Sequence, residues 1–156
     1  MKKKFRPYEP GQLMLLPPSI DEWLPERHMA RFLSETIGAM DISVIQAPYE
    51  KELRGYPPYH PRLMLKVLIY GYCIGVRPSR KLAQACVEDV AFWFLTANQL
   101  PDHRTICDFR KRHIEAFSGL FLKVLMLCEE VGLAGVGHIA LDGAPRLPPK
   151  RPNIRR

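Results

Sequence analysis

From Phe117 to Val131 the apolar side chains fall at Phe117, Leu120, Phe121, Val124, Leu125, Cys128 and Val131. Steps of three and four line up on one side only when the backbone is an α-helix. A stripe that broad has to be covered by other elements, and the rest of the chain supplies helices to cover it. Pro61 to about Ile74 reads as a strongly apolar helix through Leu63, Met64, Val67, Leu68 and Gly71, opened by His60-Pro61 and ended by Gly75. So apolar a segment belongs at the centre of the fold. Pro78-Ser79 starts another helix, with Leu82, Ala85 and Cys86 at helical spacing. Upstream, a helix is expected from Pro25 to about Ala39 with Met29, Phe32, Leu33, Thr36 and Ile37 on one side, followed by a short helix capped by Asp41 and stopped by Pro48.

Downstream, Asp89 to Leu95 carries Phe92, Trp93 and Phe94 and reads as core. A loop at Asn98 to Pro101 leads to Asp102, the expected N-cap of a helix through Thr105, Ile106 and Phe109. The striped helix spans about Ala116 to Val131 and stops at Gly132; after it, Val136 to Leu141 reads as one short strand. No second strand is available to pair with it. The fold class is therefore all-α: a helical bundle containing a helix-turn-helix-like unit, with one short orphan strand.

The organisation expected along the 156 residues is an extended arm over 1–20, a helical domain over 21–132, a strand segment over 133–143 and a tail over 144–156. The arm and the tail each hold four prolines, and the tail adds Arg146, Lys150, Arg151, Arg155 and Arg156 with almost no core formers, so it is expected to be disordered. Cys73, Cys86, Cys107 and Cys128 form no C-x-x-C pair and read as reduced thiols. His103 and Cys107 are four apart, but no second ligand pair stands at finger spacing, so neither a metal nor another cofactor is expected. Lys2, Lys3 and Lys4 run into prolines instead of an apolar signal segment, and the uncharged run Val67 to Val76 is shorter than the roughly 20 residues a bilayer needs. The expected location is the cytoplasm, with no membrane partner.

The net charge of +7 is unevenly spread. Between Leu53 and Val87 there are Arg54, Arg62, Lys66, Arg77, Arg80 and Lys81 and no acid; between His103 and Ile114, Arg104, Arg110, Lys111 and Arg112 face only Asp108. At 3.6 residues per turn, Arg104, Asp108, Lys111 and Arg112 share one helix face, while Ile106, Phe109 and His113 share the opposite one. A helix docked by an apolar back and offering Arg, Lys, Thr105 and Asp108 has the geometry to enter a major groove. The alternative at this point is an ordinary solvated helix. Arg77, Arg80 and Lys81 gather at a helix N-terminus, where cations oppose the helix dipole and an incoming phosphate would relieve the conflict. Both elements fit an oriented contact with a polyanion such as double-stranded DNA, with solvated basic faces as the alternative.

The string Gly55-Tyr-Pro-Pro-Tyr-His-Pro61, the run Leu68-Ile-Tyr-Gly-Tyr72, Gly75 with Arg80, Glu88-Asp-Val-Ala-Phe92, and Pro101-Asp-His-Arg-Thr-Ile106 followed by Phe109-Arg110 and His113 resemble the N-terminal region of bacterial insertion-sequence transposases of the DDE type. The resemblance runs from about Phe5 to Gly143. It implies a helical domain that binds terminal inverted repeats and helps assembly, followed by an RNase H-like domain whose three acids hold divalent magnesium. Asp142 falls on the first of those acids. No acid follows it, so the resemblance implies a chain cut off as the catalytic domain begins, with Asp142 vestigial and no enzyme activity of its own. Tyr56 and Trp93 stand where relatives often carry Arg, and Pro78 where a small polar residue is common. His28, His60, His103, His113 and His138 have no nucleophile partner and read as caps, core or surface. The second partner class is protein: self-association, or association with a full-length transposase, through the Phe117–Val131 stripe, which would pack on the catalytic domain and which a chain cut off before it is expected to expose. A decayed product without function is the remaining alternative.

Overall fold

A computed structural model describes residues 19–50 and 57–132 of the chain. Those residues form α1 (Ile20–Trp23), α2 (Met29–Ala39), α3 (Ser43–Glu50), α4 (Pro61–Cys73), α5 (Ser79–Glu88), α6 (Val90–Thr96), α7 (His103–Arg112) and α8 (Ile114–Glu130). No strand occurs among the described residues. The expected strand, residues 1–18 of the expected 1–20 arm, and the tail lie outside them. The arm's last two residues are instead the cap and start of α1, a single turn ahead of the expected first helix, where the Ser19 hydroxyl accepts from the Asp21 amide.

Helix α4 is the hub, as its composition demands. Leu63, Met64, Leu65, Val67, Leu68, Ile69 and Tyr70 are all buried, and only the half-buried Lys66 interrupts them, so the helix is enclosed on almost every side. Helices α2, α5, α6 and α7 pack on it. Phe92 of α6, Ile106 of α7 and Leu82 of α5 are fully enclosed, and Tyr70 meets Phe92 edge to face with ring centroids 5.1 Å apart. Helix α5 approaches α4 at Gly71, where a Cβ would stand 2.2 Å from the Leu82 Cδ2 and 3.0 Å from the Val76 carbonyl oxygen.

The helix ends follow the polar residues. Asp41 Oδ1 accepts from the Ser43 amide at 2.9 Å, Asp89 Oδ1 from Ala91 at 2.7 Å, and Asp102 Oδ1 from Thr105 at 2.6 Å. Two histidines do the same work: His28 Nδ1 accepts from Ala30 and His60 Nδ1 from Arg62, each at 3.1 Å. His113 is buried and His103 exposed, so the described histidines are caps, core and surface as expected. Gly75 and Gly132 adopt φ of +81° and +68° and end α4 and α8 in the left-handed conformation that glycine tolerates best.

Three further boundaries differ from the sequence reading. Pro25 does not open α2. The Arg31 side chain takes the Pro25 and Leu24 carbonyls, so Pro25–Arg27 stays a turn and the helix starts after His28. Pro48 does not stop α3 but lies inside it. The carbonyl it leaves unpaired belongs to Val44, whose surroundings are exposed, and water can satisfy it. The last helix starts at Ile114 instead of Ala116, directly after the single junction residue His113.

Candidate nucleic-acid interface

Helix α7 is built from both ends. Asp102 caps its start, and hydrogen bonds from Thr105 hold the Asp102 carboxyl below the usual carboxylate range, keeping it charged next to the positive end of the helix dipole. Arg110, Lys111 and Arg112 occupy the last turn, where cations complement the negative end. Ile106 and Phe109 are buried, and His113 closes the helix from inside the core with Nε2 3.1 Å from the Tyr49 hydroxyl. Burial lowers the His113 pKa below its ordinary value, and the neighbouring Arg112 pushes in the same direction.

The residues expected to face outward do so. Arg104, Asp108, Lys111 and Arg112 are exposed and Thr105 is half-buried. They are not equivalent, however. Thr105, Asp108 and Arg112 line one wall of a groove of about 630 Å³ that also includes Tyr49, Tyr59 and Gln99, whereas Arg104 and Lys111 do not line it. The Arg112 guanidinium lies 5.9 Å from the Tyr49 ring centroid, a contact that restrains it.

Helix α5 packs on the other flank of α7. Its N-terminus has no side-chain cap, because the residue before Ser79 is Pro78. Arg77, Arg80 and Lys81 are exposed there, no acid lies in the first turn, and none of the three forms an ion pair among the described residues. The surrounding basic block is smaller than the sequence suggests. Arg62 spends its guanidinium on the carbonyls of Ile37, Gly38 and Met40, at 2.7, 2.6 and 3.0 Å, closing the C-terminus of α2. Lys66 donates to the Ser34 hydroxyl at 2.8 Å, and burial, then Arg62, lowers its pKa. Arg54 lies outside the described residues.

Arg110 enters the sequence reading as part of the basic block and of the family-like run ending Phe109-Arg110, with no role of its own. Its Nη1 donates to the Tyr72 hydroxyl at 3.2 Å and the Arg77 carbonyl at 3.0 Å, and its Nη2 to the Ser79 hydroxyl at 3.1 Å. It joins the end of α4, the start of α5 and α7. The signal was present in the spacing: residue 110 falls four after Ile106 and three before His113, beside the buried stripe, where a free charge would not be left.

Trp93 is packing, with its ring centroid 6.2 Å from that of Trp23. Tyr56 and Asp142 lie outside the described residues. Among those residues, no group of three or more His, Cys, Asp or Glu stands together as a metal site, the four cysteines are free, and no helix is long and apolar enough to cross a membrane.

In comparisons with known proteins, no curated protein and no solved structure matches. The family described as Transposase domain (DUF772) matches residues 18–112, from the approach to α1 through the end of α7. With the hub, the basic start of α5 and the whole of α7 inside the match, the chain belongs to the transposase domain family DUF772.

Proposed function

We propose that this domain binds double-stranded DNA, with the terminal inverted repeats of a mobile element as its site. The observation that supports this most directly is the pairing of two cationic elements on one scaffold. Helix α7 is anchored by Ile106 and Phe109 and offers Arg104 and Lys111, while the uncapped, acid-free start of α5 offers Arg77, Arg80 and Lys81. In this reading α7 enters the major groove, where the Arg104 to Arg112 helix reaches base edges, with Arg104, Lys111 and Arg112 as donors and Asp108 as an acceptor for a cytosine amino group, while Thr105 holds a phosphate. The amides and cations at the start of α5 hold phosphates and fix the orientation of the domain. The α5–α6–α7 unit then works as a helix-turn-helix reader.

Phosphate anchoring is tested by salt dependence. Replacing Arg77, Arg80 and Lys81 together with Ala removes three phosphate contacts, so the slope of log binding constant against log salt should become shallower by about 2–3. An unchanged slope would place the phosphates elsewhere.

A second reading, protein association, is favoured by α8. Apart from Val131 at its end, the stripe expected to be open is not: Phe117, Val124 and Cys128 are buried and Leu120, Phe121 and Leu125 half-buried. The exposed apolar face is instead that of Leu122 and Met126, four residues apart on the opposite side of α8. In this reading the face meets a second copy of the chain or a full-length transposase. Sedimentation of wild type and of Leu122→Glu/Met126→Glu tests it: self-association lost in the variant supports it, and a wild-type monomer at all concentrations removes the second-copy form.

A further inference from the structure

We propose that Arg110 is a positioning residue that fixes the register between the two DNA-facing elements, the start of α5 and α7; this rests on the DNA-binding reading. A recognition helix and a phosphate anchor act together only if their spacing matches the duplex, and short contacts between the two must set that spacing. Helix α5 lacks the ordinary device for holding its first turn, because Pro78 brings no capping side chain. Arg110, which has only donors, does not cap the first amides of α5; it ties the first turn down from outside through other atoms. Its planar fork reaches three acceptors on three successive parts of the chain: the Tyr72 hydroxyl at the end of α4, the Arg77 carbonyl in the connection, and the Ser79 hydroxyl in the first residue of α5. The acceptors flank the cations of the proposed phosphate anchor, and the donor stands next in sequence to Lys111.

A lysine at 110 cannot do the same. Its ammonium is a point charge without the fixed fork, so it meets part of the acceptor set and leaves the start of α5 free to shift. Arg110 is also half-buried and hydrogen-bonded within the protein, so it is not one of the charges offered to DNA. Positioning and charge can therefore be separated by Arg110→Lys, which keeps the net charge and removes the fork.

The test compares wild type with R110K in two measurements on the full chain. The first is hydrogen exchange of the Leu82 and Ala83 amides, the first of α5 to donate within the helix, expected to quicken in R110K while those of α4 do not. The second is binding to a duplex carrying the inverted repeat and to a scrambled duplex, across a salt series. R110K should lose about tenfold of its preference for the repeat, the scale of one misread base pair, while the salt slope on the scrambled duplex stays at the wild-type value. A merely stabilising residue would leave the preference of the folded fraction intact. Preference retained in R110K, or exchange unchanged at the start of α5, overturns the positioning role alone. A wild type without preference overturns the DNA reading and the role with it, a result visible before any variant is made. Should R110K fail to fold, Ser79→Ala with Tyr72→Phe removes two of the acceptors without altering charge and is held to the same outcomes.

Discussion

At the residue scale, Gly71 and His113 show how tertiary contact gives a side chain meaning that its neighbours in sequence do not. Gly71 could be read from the sequence only as part of an apolar helix, yet Leu82 and the Val76 carbonyl occupy the space its Cβ would need. Leu82 is itself enclosed, so little room exists for it to yield. Gly71→Ala should therefore destabilise the domain by about 1–3 kcal/mol, the range for overpacking a filled core, despite the better helix propensity of alanine; urea unfolding measures it. His113 gives a pH dependence. In the unfolded chain it takes up a proton near its ordinary value of 6.5, whereas the buried, Arg112-flanked ring resists it until lower pH. As pH falls from above 6.5 the unfolded state binds the proton first, and stability drops until the folded ring is also protonated. The capping carboxylates Asp41 and Asp102 are held below 3.8 and add a separate loss in more acid solution. The urea midpoint should accordingly fall between about pH 7.5 and pH 5.5, limits set roughly one unit either side of the ordinary histidine value of 6.5, and the fall should shrink in His113→Gln. A midpoint that is flat with pH in wild type would contradict the assignment.

At the element scale, the helices were legible because their signals are local. Caps at Asp41 and Asp102, the stops at Gly75 and Gly132, and the apolar periods of α4 and α8 all act within a few residues. What escaped was set by side chains arriving from elsewhere. Arg31 claims the carbonyls that would have let α2 begin at Pro25, and Arg62 claims those at the end of α2 from a position in α4. Composition could not separate these internal arginines from the exposed Arg77 and Arg80, because both kinds contribute the same charge. Arg62→Met should expose the difference. It retains the stem but strands the carbonyls of Ile37, Gly38 and Met40, and should cost about 2 kcal/mol, typical for hydrogen bonds from a charged donor, with no loss of DNA binding per folded molecule. The measurements are chemical unfolding and titration with duplex; weaker binding at unchanged stability would put Arg62 on the DNA face.

At the scale of the whole molecule, the central helix α4 decides where everything else can go. It places α2 and α6 against one another and carries α5 and α7 side by side, so the one apolar hub in the sequence brings together two basic segments separated by the aromatic α6. That juxtaposition was legible in part, since the outward face of α7 and the basic start of α5 follow from helical spacing. The groove that sets Thr105, Asp108 and Arg112 apart from Arg104 and Lys111 was not, because Tyr49 and Tyr59 reach it from distant segments. The family match covers this assembly and ends with α7, which makes the α7 surface the place to test the account. The most direct measurement is equilibrium binding to inverted-repeat and scrambled duplexes across a salt series, for wild type and for Arg104→Ala/Lys111→Ala/Arg112→Ala. The account predicts a preference for the repeat that the triple variant loses while it remains folded. Equal, steeply salt-dependent binding to both duplexes, unaffected by the triple variant, would contradict it.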